Sequence, residues 1–137
     1  MNSFHYAFKV KDIESTRKFY VDILGCEEGR STETWIDFNF FGHQLSAHLS
    51  DDIPPLDYCG KVDGINVPIP HFGCLLSLEN FQKVRKQLET AQIEFLVKPQ
   101  ERYKGQTGEQ YTMFVFDLSG NPLEFKSFKD EGEVFLS

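Results

Sequence analysis

The stretch that decides the fold is Tyr111-Thr-Met-Phe-Val-Phe-Asp-Leu-Ser-Gly-Asn-Pro-Leu-Glu-Phe-Lys126. An apolar run stops at Asp117 and the chain turns through Leu118-Ser119-Gly120. A second short run follows, with Pro122, Glu124 and Lys126 on one face and Leu123 and Phe125 on the other. Glu124 therefore stands near the middle of a strand, where desolvating a carboxylate costs on the order of several kcal/mol unless a cation meets it. The position predicts a metal ion, an Arg or Lys from elsewhere in the chain, or Lys126 on the same face.

Working outward, two other stretches offer imidazoles: Phe4-His5-Tyr-Ala-Phe-Lys-Val10 and Pro70-His71-Phe-Gly-Cys-Leu-Leu-Ser77. Each His comes second in an apolar run that leads into a helical pattern. Two His and one carboxylate on strands form a minimal set for a mononuclear divalent metal with open positions.

The two runs also begin two copies of one pattern. Residues 4–10 read as a strand, then Asp12 caps a helix with Ile13, Phe19, Tyr20, Ile23 and Leu24 at helical spacing and Gly25 at its end. Strands are expected near 27–32, at 34–41 and, past the turn at Gly42, at 43–50. From Pro70 the order repeats: strand 70–76, Ser77 as cap, a helix with Phe81, Val84, Leu88 and Ala91 on one side, then strands near 94–99, 111–117 and 122–128. Residues 51–69, rich in Pro, Gly and Asp and without apolar periodicity, read as a long connection. Counted from the glycine of each last turn, Glu124 and Ser46 occupy matching places, with Gln44 and His48 on the same strand face as Ser46.

Bulk properties narrow the function. A chain of 137 residues makes one domain, or two small halves sharing a core. The net charge of −7, without a basic run, argues against a nucleic-acid partner. The N-terminus lacks the basic and apolar regions of a signal peptide, and no apolar run is long enough to span a bilayer, so a cytoplasmic protein without membrane partners is expected. Cys26, Cys59 and Cys74 are odd in number and without CxxC spacing, as expected of reduced thiols. Fourteen Phe, five Tyr and one Trp supply the core and an aromatic-lined cleft.

With these features in view the chain resembles the vicinal oxygen chelate superfamily, which includes glyoxalase I, fosfomycin-resistance proteins, methylmalonyl-CoA epimerase and type I extradiol dioxygenases. The resemblance covers nearly the whole chain. Its carriers are His5, the helix end Phe19-Tyr20-x-x-Ile23-Leu24-Gly25, the restart at His71, and Phe116-Asp-Leu-Ser-Gly-Asn-Pro-Leu-Glu-Phe125. It implies an α+β fold of two βαβββ modules forming a curled mixed sheet around a metal-binding cleft. A single domain over 1–137 would comprise module one at 4–50, a connecting loop at 51–69, module two at 70–128 and a tail at 129–137.

Carried over by position, the resemblance makes His5, His71 and Glu124 the ligands of one divalent ion, whether Fe, Mn, Zn, Ni or Co. Members with glyoxalase or epimerase chemistry add a Glu or Gln from the last strand of the first module. Here that place falls on Ser46, a poor ligand, unless the register slips to Gln44 or His48. The remaining set resembles the facial triad of extradiol dioxygenases. Those enzymes also carry an extra acid–base His near the end of the corresponding strand, close to where His48 falls. Their tyrosine six residues before the last glycine is Phe114 here, an apolar wall.

The loop 101–110 places Arg102 and Lys104 where either can meet a substrate carboxylate or phenolate. Ser46, Gln44, Phe114, Arg102 and Lys104 are thus the expected substrate contacts and His48 the expected catalytic group. The expected function is that of a metal-dependent, dioxygenase-like enzyme acting on a small organic substrate bound through adjacent oxygens. The alternatives are a lyase or isomerase of the glyoxalase or epimerase kind, and a non-catalytic binding protein of the bleomycin-resistance kind. Family analogy adds a homodimer.

Overall fold

The computed structural model of the protein describes residues 2–137. Two compact units divide the chain, the first running up to Pro55 and taking in Asp117–Asn121, the second made of Leu56–Phe116 and Pro122–Ser137.

In the first unit, strands β1 (His5–Val10), β2 (Glu27–Ser31), β3 (Trp35–Phe40) and β4 (His43–Leu49) form one sheet in the order β1-β4-β3-β2. β1 runs parallel to β4 and the other pairs are antiparallel. Alternation sends Phe8, Val10, Ile36, Phe38, Phe40, Leu45 and Ala47 to the buried face, where Tyr20 stacks on Phe38 with ring centroids 5.1 Å apart. The helix α1 (Ile13–Arg17) starts where Asp12 accepts a hydrogen bond from Ser15 N at 2.7 Å. It does not continue as the regular helix expected. Over Lys18–Ile23 it widens into a π-helical turn, with Leu24 N donating to Phe19 O at 2.9 Å. The wider turn lets the adjacent residues Phe19 and Tyr20 both reach full burial.

The turn Asp117–Asn121 completes this unit. Asp117 accepts from Tyr20 Oη at 2.8 Å, from Ser119 N and Asn121 N at 2.8 Å each, and from Asn121 Nδ2 at 3.0 Å. Lys11 N donates to Ser119 Oγ and Asn121 Nδ2 to Lys9 O, each at 2.9 Å.

The second unit repeats the strand order as β7-β10-β9-β8, from β7 (Phe72–Leu75), β8 (Phe95–Arg102), β9 (Gln110–Phe116) and β10 (Pro122–Phe128), with β7 parallel to β10. Its helix α2 (Leu78–Thr90) is capped by Ser77, which accepts from Asn80 N at 3.2 Å, and buries Phe81, Val84 and Leu88. Ala91, expected on that buried side, is instead the exposed C-cap. A Cβ on Gly73 would lie 1.6 Å from the carbonyl oxygen of Glu124, so only glycine lets β7 approach β10 this closely.

The connection 51–69 is more ordered than its composition suggests. It carries a hairpin of β5 (Gly60–Val62) and β6 (Ile65–Val67) around Asp63 and Gly64, whose φ values are 48° and 83°. Two successive positive φ values fit the mirror-image turn that strand twist favours. Val62 and Val67 pack with Val97 and Phe114. β8 is also longer than expected, because Gln100, Glu101 and Arg102 continue to pair with Thr112, Tyr111 and Gln110. No helix among the described residues is long and apolar enough to cross a membrane.

Candidate functional site

In the second unit the hairpin delivers Pro68 directly after β6, and His71 Nδ1–H donates to Pro68 O at 2.7 Å. That bond fixes the ring with Nε2 facing Glu124 Oε1 at 3.3 Å, so that the neutral imidazole presents a lone pair to the carboxylate and the protonated one donates a hydrogen bond to it. Two acceptors this close repel unless a proton or a cation lies between them. Glu124 is 8% exposed, and its other oxygen accepts from Thr112 Oγ1 at 2.6 Å. Lys126 Nζ lies 3.9 Å from Glu124 Oε1. The Phe114 ring meets His71 edge-on with centroids 4.8 Å apart.

A cavity of about 220 Å³, lined by His71, Gly73, Cys74, Glu124 and Lys126, opens onto the pair. The Glu124 hydrogen bond raises the His71 pKa, and burial lowers it by less. Burial pushes the Glu124 carboxyl up, but His71, Thr112 and Lys126 together hold it below the ordinary carboxylate range. An oriented imidazole nitrogen facing a carboxylate oxygen is a donor set that fits a divalent cation.

The first unit orients its own imidazole in the same way, since His5 Nδ1–H donates to Gln44 Oε1 at 2.7 Å. Register places His5, Gln44 and Asn39 in one row across the sheet, then Ala7, Ser46 and Asp37, then Lys9, His48 and Trp35. Ser46 stands opposite Ala7 as Glu124 stands opposite Gly73, and each of those small residues lies two positions after a His. The Ser46 hydroxyl is engaged, donating to the buried Asp37 Oδ1 at 2.7 Å. His48 is exposed on β4. A second cavity of about 350 Å³ is lined by Gly29, Arg30, Asp37, Asn39, His43 and Gln44 among others.

The unit structures thus bring His71 to Glu124, and His5 to Gln44. Among the described residues, no group of three or more His, Cys, Asp or Glu side chains is gathered to hold a metal ion. Arg102, expected in a loop, is the last residue of β8 and pairs with Asp63 at 3.4 Å while lying over the Tyr103 ring. Lys104 is on the exposed loop, 3.9 Å from Glu101. Three participants were not anticipated: Pro68, Thr112 and Asp37. Asp37 carried a readable signal, an acid between Ile36 and Phe38 in an apolar strand. Pro68 and Thr112 act through a carbonyl and a diagonal cross-strand contact, which no residue pattern encodes.

A model of the Glyoxalase/Bleomycin resistance protein/Dioxygenase superfamily matches residues 3–125. Among solved structures, a glyoxalase/bleomycin resistance protein/dioxygenase from Alicyclobacillus acidocaldarius is 31% identical with a TM-score of 0.81, over 98% of this chain and 96% of that one. The fosfomycin resistance protein FosX from Listeria monocytogenes shares the fold, at 17% identity and a TM-score of 0.72 over 97% of each chain. No curated protein matches the chain. The repeated strand order, the match along nearly the whole sequence and the likeness to these structures place the chain in the glyoxalase/bleomycin resistance protein/dioxygenase superfamily.

Proposed function

We propose that this chain is a metal-dependent enzyme acting on a small organic substrate through two adjacent oxygens. The observation that carries the reading is His71: its Nδ1–H is committed to Pro68 O and its Nε2 faces Glu124 at 3.3 Å. His71 and Glu124 would hold a divalent ion, with His5, whose Nδ1 is likewise committed to Gln44, as a third ligand from this chain or from a second copy in a homodimer. When bound, the ion would supply Lewis-acid polarisation of substrate oxygens and, as Fe(II), the redox chemistry of a dioxygenase.

The protein's own groups do the rest. Phe114 walls the apolar side of the site and His48 moves a proton through its imidazole nitrogen. Dioxygenase-like chemistry is favoured over lyase or isomerase chemistry because the matching fourth position is spent: Ser46 is buried and bonded to Asp37, and Gln44 is occupied by His5.

Metal analysis of protein purified without added ions tests the proposal. His71→Ala is expected to lose the ion while keeping the fold by circular dichroism, and unchanged metal content in that variant refutes the ligand assignment. Oxygen uptake with catechols, set against isomerisation of thiol hemiacetals, then separates the two enzyme classes. A drug-binding protein would show neither.

A further inference from the structure

We infer that Lys126 is an anion-binding residue, and that the molecule entering the cavity beside His71 and Glu124 is a small organic acid with its carboxylate next to a second oxygen donor. The inference rests on the proposed metal reading and adds the substrate class.

Lys126 lies two residues beyond Glu124 on the same face of β10 and lines the same cavity of about 220 Å³. Its side chain is 32% exposed, and among the described residues its ion-pair partner is Glu124, at 3.9 Å. Glu124 has nearer partners, Thr112 Oγ1 at 2.6 Å and His71 Nε2 at 3.3 Å, so Lys126 is the outermost of the groups around that carboxylate. In the metal-free protein the ammonium and the carboxylate partly neutralise each other.

A divalent ion changes that balance. One carboxylate offsets half of the ion's charge and the imidazoles offset none, so Lys126 shares the cavity with a net positive centre. Like charges in a partly desolvated space repel, and an anion relieves both at once. The remaining lining from β7, Gly73 and Cys74 among it, brings no charge to the cavity. An α-hydroxy or α-oxo carboxylate meets these demands, since its two oxygens chelate and its charge faces the ammonium.

The test uses Zn(II)-loaded full-length protein, with lactate and its neutral isostere lactamide as calorimetric probes. Lys126→Met is expected to weaken lactate about tenfold, the scale of a hydrogen bond to a charged group, and to leave lactamide unchanged. Lys126→Arg is expected to retain most of the preference, and both variants are expected to keep their zinc. An unchanged lactate-to-lactamide ratio in Lys126→Met overturns the inference alone. Loss of zinc in Lys126→Met also overturns it, because Lys126 would then serve only to support Glu124. A wild-type protein that takes up no metal defeats the metal reading, and this inference with it.

Discussion

Thr112 has no charge and no chemistry of its own, yet its hydroxyl is the shortest contact to Glu124, at 2.6 Å in a fully buried position. Thr112→Val keeps the volume and removes the donor. It is expected to cost about 2 kcal/mol in urea denaturation, because a buried carboxylate oxygen loses its partner. On the proposed ligand assignment, metal affinity measured by chelator competition is expected to fall roughly tenfold or more, the usual penalty for losing an outer hydrogen bond to a ligand.

Tyr20 plays a comparable part toward Asp117, donating at 2.8 Å from a fully buried ring. Burial first, then the charge of Asp117, pushes the Tyr20 phenol well above its ordinary pKa. A folded-state pKa raised above the unfolded value gives stability that is complete below the unfolded pKa of about 10 and is lost as pH rises through the folded value. Tyr20→Phe is therefore expected to cost about 2 kcal/mol at pH 8. The gap between wild type and variant should shrink as the pH is raised past about 10. A gap that stays constant to pH 11 counts against the buried phenol–carboxylate pair.

At the scale of elements, the closest approach in the second unit is between β7 and β10, where Gly73 leaves no room for a Cβ beside the Glu124 carbonyl. Gly73→Ala must push backbone against backbone. It is expected to cost about 3 kcal/mol or more in thermal or urea unfolding and, on the proposed ligand assignment, to weaken metal binding, because Glu124 sits on the displaced strand. Wild-type stability in this variant would mean that the two strands pair more loosely. The neighbouring hairpin shows what was legible in the sequence and what was not. Long strands such as β4, β9 and β10 could be read from their apolar runs and the glycine turns that bound them, although β9 and β10 are buried on both faces rather than alternately, and so could the two capped helices. β5 and β6 have three residues each, too few for alternation to register. Their signal was the dipeptide Asp63-Gly64 between apolar residues, submerged in the Pro-rich composition around it. The residue types of the candidate site were visible in the repeat. The means of orienting them were not, because the Pro68 carbonyl and the Thr112 hydroxyl gain their roles only once the hairpin and β9 are in place.

For the whole molecule, the repeat produces two sheets of the same strand order, yet the chain does not divide at one point. The turn Asp117–Asn121 joins β9 to β10 of the second unit but is bonded into the first through Tyr20, Lys11 and Lys9. Unfolding of the first unit therefore releases the turn that holds two central strands of the second in register, and the two should unfold together. Asn121→Ala tests this, since its amide donates to both Lys9 O and Asp117 Oδ2. Removing those bonds is expected to cost about 2 kcal/mol. For a chain of this length that lowers the melting temperature by roughly 6–10 °C. Trp35, the chain's single tryptophan, reports on the first unit by fluorescence, and α2, the longest helix, dominates the circular dichroism of the second. Both midpoints are expected to coincide in the wild type and to shift by the same amount in the variant. If the fluorescence midpoint moves while the helical signal stays put, the units unfold independently and the turn does not couple them.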